Sequence, residues 1–175
     1  MPVSFEVAFN YVLDSEDSTR SGVVTPEPNG GRARLGINSV YHPEMPTEFW
    51  TCLVAQALPM AEVTYNQWYW SVLKLDAAAD QQVANKILDS GFWMGVGRAG
   101  RWAQSAVNAL TNADTLEVDG ILGSLSWHAI NAASSLSLRQ ALASLVEAQV
   151  ERDVAAHPAE ANERASLLAR AQKLG

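Results

Sequence analysis

Two prolines and two glycines fall within the seven residues Thr25-Pro26-Glu27-Pro28-Asn29-Gly30-Gly31, and no helix survives that density of breakers. The polar stretch before it carries no sustained period, so residues 17 to about 46 read as one long ordered loop, able to hold a short hairpin that pairs residues near 22–25 with 34–38. A loop of that length inside a compact domain is usually functional or disordered. Its aromatic and glycine content argues for the first.

Everything around this loop has helical spacing. Phe5, Ala8, Phe9, Val12 and Leu13 predict a first helix from Ser4, its N-cap, to about Glu16. Helical patterns resume at Pro46-Thr47-Glu48 and run through Trp70, with a break expected near Leu58-Pro59 and another near Leu73–Asp76. They continue from Ala77 to about Phe92, are interrupted by Gly91, Gly95 and Gly97, and return in a helix carrying Trp102, Ala103, Ala106, Val107 and Leu110. A turn at Val118-Asp119-Gly120-Ile121-Leu122-Gly123 precedes helices at roughly 125–134, 136–155 and 158–173, the last two divided by His157-Pro158. The pattern predicts an all-α chain.

Composition narrows the function. The chain has 175 residues, 48% of them hydrophobic, enough for one core or for two small helical lobes sharing an interface. Lys plus Arg number 12 against 19 Asp plus Glu, a net charge of −7, and no basic run is present to neutralise consecutive phosphates, so no nucleic-acid partner is expected. The lone Cys52 and the scattered His42, His128 and His157 have no disulfide or metal-ligand spacing. No metal and no cofactor are expected. The opening Met1-Pro2-Val3-Ser4-Phe5-Glu6 lacks the pattern of a signal peptide, and no apolar run suits membrane insertion. Synthesis in the cytoplasm is the expectation.

One charge is out of place. Phe5, Phe9, Val12 and Glu16 follow one another along a single helical face, while Asp14 and Asp17 point about 160° and about 100° away from Glu16 on an ideal helix. Burial raises a carboxyl pKa, and the negative end of the helix dipole raises it further. A carboxyl kept protonated near neutral pH is suited to general-acid work. The alternative is a helix that ends a turn early, with Glu16 solvated or paired with Arg20.

The run from Phe5 through Glu16 to Gly30-Gly31-Arg32-Ala33-Arg34-Leu35-Gly36-Ile37 resembles the N-terminal half of glycoside hydrolase family 108, muramidases of phages and bacteria. Ala61-Glu62-Val63-Thr64-Tyr65 with Trp68-Tyr69-Trp70 resembles that family's tyrosine and Tyr-Trp segment, and Asp89 before Phe92 its aspartate-bearing helix. Further on, Ala103-Gln104, Asn108-Ala109-Leu110 and Leu116 through Gly123 resemble the accompanying peptidoglycan-binding segment, and Asn162–Ala171 its last helix. The chain departs from the pattern at Asp17-Ser18-Thr19, where Gly-Gly-Tyr is usual, at Ala33 in place of threonine, and at Leu167 in place of tryptophan.

The resemblance implies a compact lysozyme-like helical bundle, with residues 1–95 as the catalytic region and 96–175 as a peptidoglycan-binding-like region packed on it. It places Glu16 on the catalytic glutamate of an enzyme that cleaves the β-1,4 bond between N-acetylmuramic acid and N-acetylglucosamine. Spacing does not distinguish retaining from inverting chemistry, and a lytic transglycosylase could manage with one acid/base group. Inverting hydrolysis needs a second carboxylate to activate water, for which Glu27 is the first choice, with Asp17 and Asp14 as alternatives. Asn29, Gly30, Gly31 and Arg34 in the loop are expected to meet substrate, Arg34 through a carboxylate. Tyr65 and Trp70 are expected to do so through the resemblance alone. For Trp68, Trp93, Trp102 and Trp127 core packing is the competing expectation. Peptidoglycan strands are the implied partner, reached after release through a holin or a secretion machinery. The other readings are a non-catalytic peptidoglycan-binding or phage structural module that kept the fold, and an adaptor in a secretion system.

Overall fold

The periodicities form the helices they predict, and the computed structural model, which describes residues 2–27, 30–112 and 115–175, leaving out the side chains of residues 159 and 160, shows how the long loop is folded between them. Helix α1 spans Phe5–Glu16; Ser4 caps it, its Oγ accepting from the Val7 N–H at 3.3 Å. Three short antiparallel strands follow: β1 (Thr25–Pro26), β2 (Arg32–Arg34) and β3 (Ile37–Asn38). The sheet is out of step with the expected pairing, because Thr25 lies opposite Ala33 and Pro26 opposite Arg32, while Ala33 pairs with Asn38 and Arg34 with Ile37. The tight turn between β2 and β3 is Leu35-Gly36, both with positive φ, at +51° and +76°. That is the geometry matching the twist of a two-residue hairpin. Leucine is a costly residue for it, and burial of its side chain with a hydrogen bond from Tyr65 Oη to its carbonyl holds it there.

After a single 3-10 turn at Thr47–Trp50, helix α2 runs Val54–Tyr65 without the break expected at Pro59. Proline there forfeits one N–H bond near the helix start, and the buried face of Ala57, Ala61, Thr64 and Tyr65 outweighs it. The helix then widens into a π-helical turn, Asn66–Trp70. Helix α3 (Gln81–Met94) is capped by Asp80, whose Oδ1 accepts from the Val83 N–H at 3.0 Å. It ends at Gly95, φ +90°, and α4 (Val96–Thr111) leaves at once. Helices α5 (Ser124–Ala132), α6 (Ser135–Ala156) and α7 (Arg164–Ala171) complete the chain, the last preceded by a 3-10 segment with Pro158 at its start.

Helix α3 is the axis of the molecule. It packs against α1, α4 and α6 and buries every residue from Val83 to Gly91. One hydrophobic core runs from Phe9 and Val12 of α1 through Ile87 and Leu88 of α3 to Leu138 and Val146 of α6, so it is continuous across residue 95. The Asp119-Gly120 turn is seated on α4: Gln104 Nε2 donates to Asp119 Oδ1 at 2.7 Å and the Gly120 N–H donates to Gln104 Oε1 at 2.8 Å. A side chain on Gly100 would put its Cβ 2.2 Å from the Gly120 carbonyl oxygen, so this approach requires glycine. The architecture is the all-α, compact, lysozyme-like class that the sequence predicts, carrying one small sheet.

Candidate active site

The apolar stripe of α1 drives Phe9, Val12 and Leu13 into the core, and the same face carries Glu16 to its edge. The Glu16 side chain is 19% exposed and forms an ion pair with Arg170 of α7, Oε1 to Nη2 at 2.6 Å. Arg170 is shared. It also reaches Asp89 of α3, with Nη2 at 2.8 Å and Nε at 3.2 Å from Oδ1, and its guanidinium lies 4.7 Å from the centre of the Trp93 ring. The partner considered for Glu16 in the sequence, Arg20, pairs instead with Asp14 at 2.6 Å.

Burial raises the Glu16 pKa above the ordinary carboxylate range. Arg170 opposes that rise through its charge and its hydrogen bond, while the charges of Asp89 and Glu27 reinforce it. The balance remains upward, so the acid form of Glu16 persists to higher pH than that of a solvated glutamate. Among the described residues no protein donor reaches Oε2.

The hairpin turn covers the other side of the carboxylate. A Cβ at Gly36 would lie 2.6 Å from Tyr65 Oη and 2.8 Å from Glu16 Cγ, so a glycine here lets the turn close over the acid. In front of it lies an open cleft of about 590 Å³, walled by Glu16, Glu27, Asn38, Tyr41, Trp93 and Arg170 among others. Glu27 therefore faces the same space as Glu16, and Asn38 Nδ2 donates to its Oε2 at 3.4 Å. A second hollow of about 480 Å³ continues past Gly36, Asn38, Tyr41 and Trp93 to His42, Trp68 and Tyr69. The two adjoin, sharing Gly36, Asn38, Tyr41, Phe92 and Trp93 as common wall.

Asp17 has different work. Its carboxylate accepts from the Gly22 N–H at 2.7 Å, the Ser21 N–H at 3.0 Å and the Thr19 hydroxyl at 3.1 Å. Burial would raise its pKa, yet these hydrogen bonds together bring it below the ordinary value. Asp17 ties the start of the loop where the resemblance led to the expectation of two glycines.

The chain has the fold of a solved protein. No family model matches it and no curated protein does. Among solved structures it is similar to that of Brucella abortus SagA, with a TM-score of 0.67 at 18% identity over 97% of this chain and 94% of that one. At that identity the likeness establishes the fold.

Three residues expected at the substrate are held within the fold, although Arg34 also lines the cleft. Arg34 is buried, its Nε donating to the Gly22 carbonyl at 2.7 Å, Nη2 to the Cys52 carbonyl at 2.8 Å and Nη1 to the Phe49 carbonyl. It braces the loop against the 3-10 turn, leaving little of its fork for a ligand. Tyr65 is wholly buried, stacked on Phe92 at 4.2 Å with its hydroxyl on the Leu35 carbonyl. Trp70 packs edge-on to Phe5 at 5.5 Å and donates Nε1–H to Asp76. Neither ring has a free face for a sugar. Asn29 lies outside the described residues. Gly30, φ +83°, and Gly31 stand at the bend between β1 and β2, where the Gly30 N–H donates to the Glu27 carbonyl and the Gly31 carbonyl accepts from the Glu27 N–H.

The groove's aromatic faces are Tyr41, 74% exposed, and Trp68, 50% exposed, with Trp93 partly covered by Arg170. Trp102 and Trp127 are core residues, as the competing expectation had it. Two exposed aromatics flanking a buried histidine are not separable in sequence from core aromatics, since the spacing of Trp68 and Trp70 hides that one is outside and the other inside. Arg170 was also missed. Only the fold brings it to Glu16.

Proposed function

We propose that this chain is an N-acetylmuramidase that hydrolyses the β-1,4 bond between N-acetylmuramic acid and N-acetylglucosamine in peptidoglycan, with Glu16 as the general acid. The observation that carries this reading is a single carboxyl, its pKa raised chiefly by burial, set in the wall of an open groove with a second carboxylate, Glu27, on the same groove. Arg170 occupies Oε1 of Glu16 and leaves Oε2 to hold the proton that passes to the leaving glycosidic oxygen. Glu27 is the group proposed to activate water, steadied by Asn38. Tyr41 and Trp68 offer flat apolar faces to sugar rings. Residues 96–175, proposed as the peptidoglycan-binding region, also supply Arg170 to the acid. The enzyme would be made in the bacterial cytoplasm and meet its wall after release through a holin or export by a secretion machinery.

A second reading is favoured by the same ion pair. A carboxylate held at 2.6 Å by a guanidinium is also what a non-catalytic peptidoglycan-binding or phage structural module would retain for stability. Incubating wild type and Glu16→Gln with purified peptidoglycan, and identifying soluble fragments by mass spectrometry, separates the two. The muramidase reading expects muropeptides from wild type and a loss of roughly 100-fold or more in the variant, the usual contribution of a general acid. Release at equal rates, or none from wild type, would sink it, and binding without cleavage would establish the module.

A further inference from the structure

The hollow beyond Glu16 contains a chain of polar groups that the proposed chemistry does not use. His42 is buried, with 4% of its surface exposed; its Nδ1 lies 2.9 Å from Glu44 Oε1 and its Nε2 lies 2.6 Å from Tyr69 Oη. Glu44 is half-exposed, and as a carboxylate it only accepts, which fixes the proton of a neutral imidazole on Nδ1. Nε2 is then an acceptor, and the Tyr69 hydroxyl must donate to it. The phenol keeps its proton, since burial first, and the charges of Glu44 and Glu16 next, push its pKa up to about 12. With its hydrogen committed to His42, Tyr69 can offer the groove only lone pairs.

The surroundings suit one kind of donor. Tyr69 stands on the π-helical turn Asn66–Trp70, a local widening often found at functional sites. His42 is held from below by its own N–H, which donates to the Asn38 carbonyl at 2.9 Å, and from the side by Trp68, edge-on at 5.8 Å. Phe92, whose ring lies 4.9 Å from that of Tyr69, and Met94 and Val96 supply apolar wall to the hollow that Tyr69 also lines, and its volume of about 480 Å³ lies in the range of small-ligand sites. A group that presents an N–H to the acceptor and a methyl to the wall completes both halves.

From this juxtaposition of Tyr69, His42 and Glu44 with an apolar wall, we infer that the hollow is a subsite for a 2-acetamido sugar, whose amide N–H donates to Tyr69 Oη while its methyl packs on Phe92, Met94 and Val96. The assignment rests on the proposed glycan chemistry of the adjoining groove and names the feature of the sugar that is read there. Tyr69 is a specificity residue in it. His42 and Glu44 are positioning residues that fix the direction of the Tyr69 hydrogen.

The test uses the full chain carrying Glu16→Gln, at pH 8, where an ordinary imidazole is neutral. Binding of the N-acetylglucosamine tetramer and of the glucose tetramer, which differ only at C2 of each ring, is measured by titration calorimetry. The subsite predicts that the acetylated tetramer binds about tenfold or more tightly, and that Tyr69→Phe reduces this preference to under threefold, the size of one neutral hydrogen bond. Glu44→Ala, on a half-exposed side chain, frees the imidazole tautomer and is expected to lower the preference as well, which keeps the test decisive should Tyr69→Phe fold poorly. Equal affinity for the two tetramers, no binding of the acetylated one at millimolar concentration, or an undiminished preference in the folded variants would overturn the subsite. Peptidoglycan release by the wild-type chain is read alongside. Cleavage without a C2 preference overturns the subsite alone, whereas a Tyr69-dependent preference without cleavage overturns the muramidase reading alone.

Discussion

Replacing Arg170 with methionine removes the one positive charge among the described residues that touches both Glu16 and Asp89, while keeping most of the stem's packing volume. The three side chains are 14%, 19% and 2% exposed for Arg170, Glu16 and Asp89, so the change strands two carboxylates with little water to solvate them. Removing one partner of a buried pair costs about 3–5 kcal/mol; the partial exposure of Glu16 argues for the lower end, about 3 kcal/mol. Loss of the guanidinium over Trp93 adds roughly 0.5–1 kcal/mol. The loss must depend on pH. Arg170 is what opposes the upward displacement of the Glu16 pKa, so in the variant that pKa rises further above the unfolded value of about 4.3. The folded variant then binds more protons than the unfolded chain between those two values, and its stability falls as pH rises through that window. Urea unfolding should therefore show a deficit of about 3–4 kcal/mol at pH 8 that narrows to roughly 1 kcal/mol near pH 4. A deficit under about 1 kcal/mol at pH 8, or one of equal size at both pH values, would refute the idea that Arg170 neutralises a buried carboxylate pair.

Three further outcomes follow from the same geometry. Glu16→Gln removes a carboxyl whose folded pKa is raised by burial, so the variant should be at least as stable as wild type at pH 8, with the difference vanishing below about pH 4, as thermal unfolding across pH will show. Gly36→Ala forces a Cβ to within 2.6 Å of Tyr65 Oη at φ +76°; it should cost about 2–4 kcal/mol in urea unfolding from overpacking and left-handed strain. Because that Cβ also meets Glu16 Cγ, the proposed muramidase activity should drop by roughly 10- to 100-fold in a peptidoglycan-release assay. Lys86 is buried, donates to the Ala171 carbonyl at 2.7 Å, and burial lowers its pKa to about 8. The unfolded chain therefore binds the extra proton between about pH 8 and about pH 10.5, and stability from this group rises across that window. Lys86→Met should lack this rise, which amounts to on the order of 3 kcal/mol, in the difference between the two unfolding curves.

What the sequence reveals of this site depends on the distance over which each feature is decided. Helix α1, its Ser4 cap and the inward face of Glu16 rest on contacts within a few turns, and a period of 3.6 residues displays them. The turn at Asp119-Gly120 is equally local, since its glycine needs positive φ and its aspartate accepts from the Ile121 N–H. The fates of Arg34, Tyr65 and Trp70 are settled instead by tertiary neighbours: three backbone carbonyls surround Arg34, and Leu35 and Phe92 enclose Tyr65. Composition makes an arginine in a glycine loop look free. The Leu35-Gly36 turn was invisible for the opposite reason, because leucine is a poor residue at positive φ and is kept there only by burial.

The charge on Glu16 is decided furthest away of all. Its own helix brings it to the edge of the core and the hairpin turn at Gly36 closes over it, which favours the neutral form, but the opposing charge comes from α7, and α7 is seated by contacts of its own: Lys86 on the Ala171 carbonyl, Arg139 on the Leu174 carbonyl at 2.9 Å, and Tyr11 Oη accepting the Gly175 N–H at 3.1 Å. The proton affinity of the proposed acid is thus tied to how well the C-terminal segment docks on α1, α3 and α6. Loosening that segment withdraws Arg170, and Glu16 then becomes a weaker acid in a less stable protein. A carboxyl that must release its proton during turnover benefits from a counter-charge strong enough to lower that cost and shared enough, through Asp89, not to abolish the protonated form. The division of Arg170 between two carboxylates supplies this intermediate strength, which a guanidinium devoted to Glu16 alone would exceed.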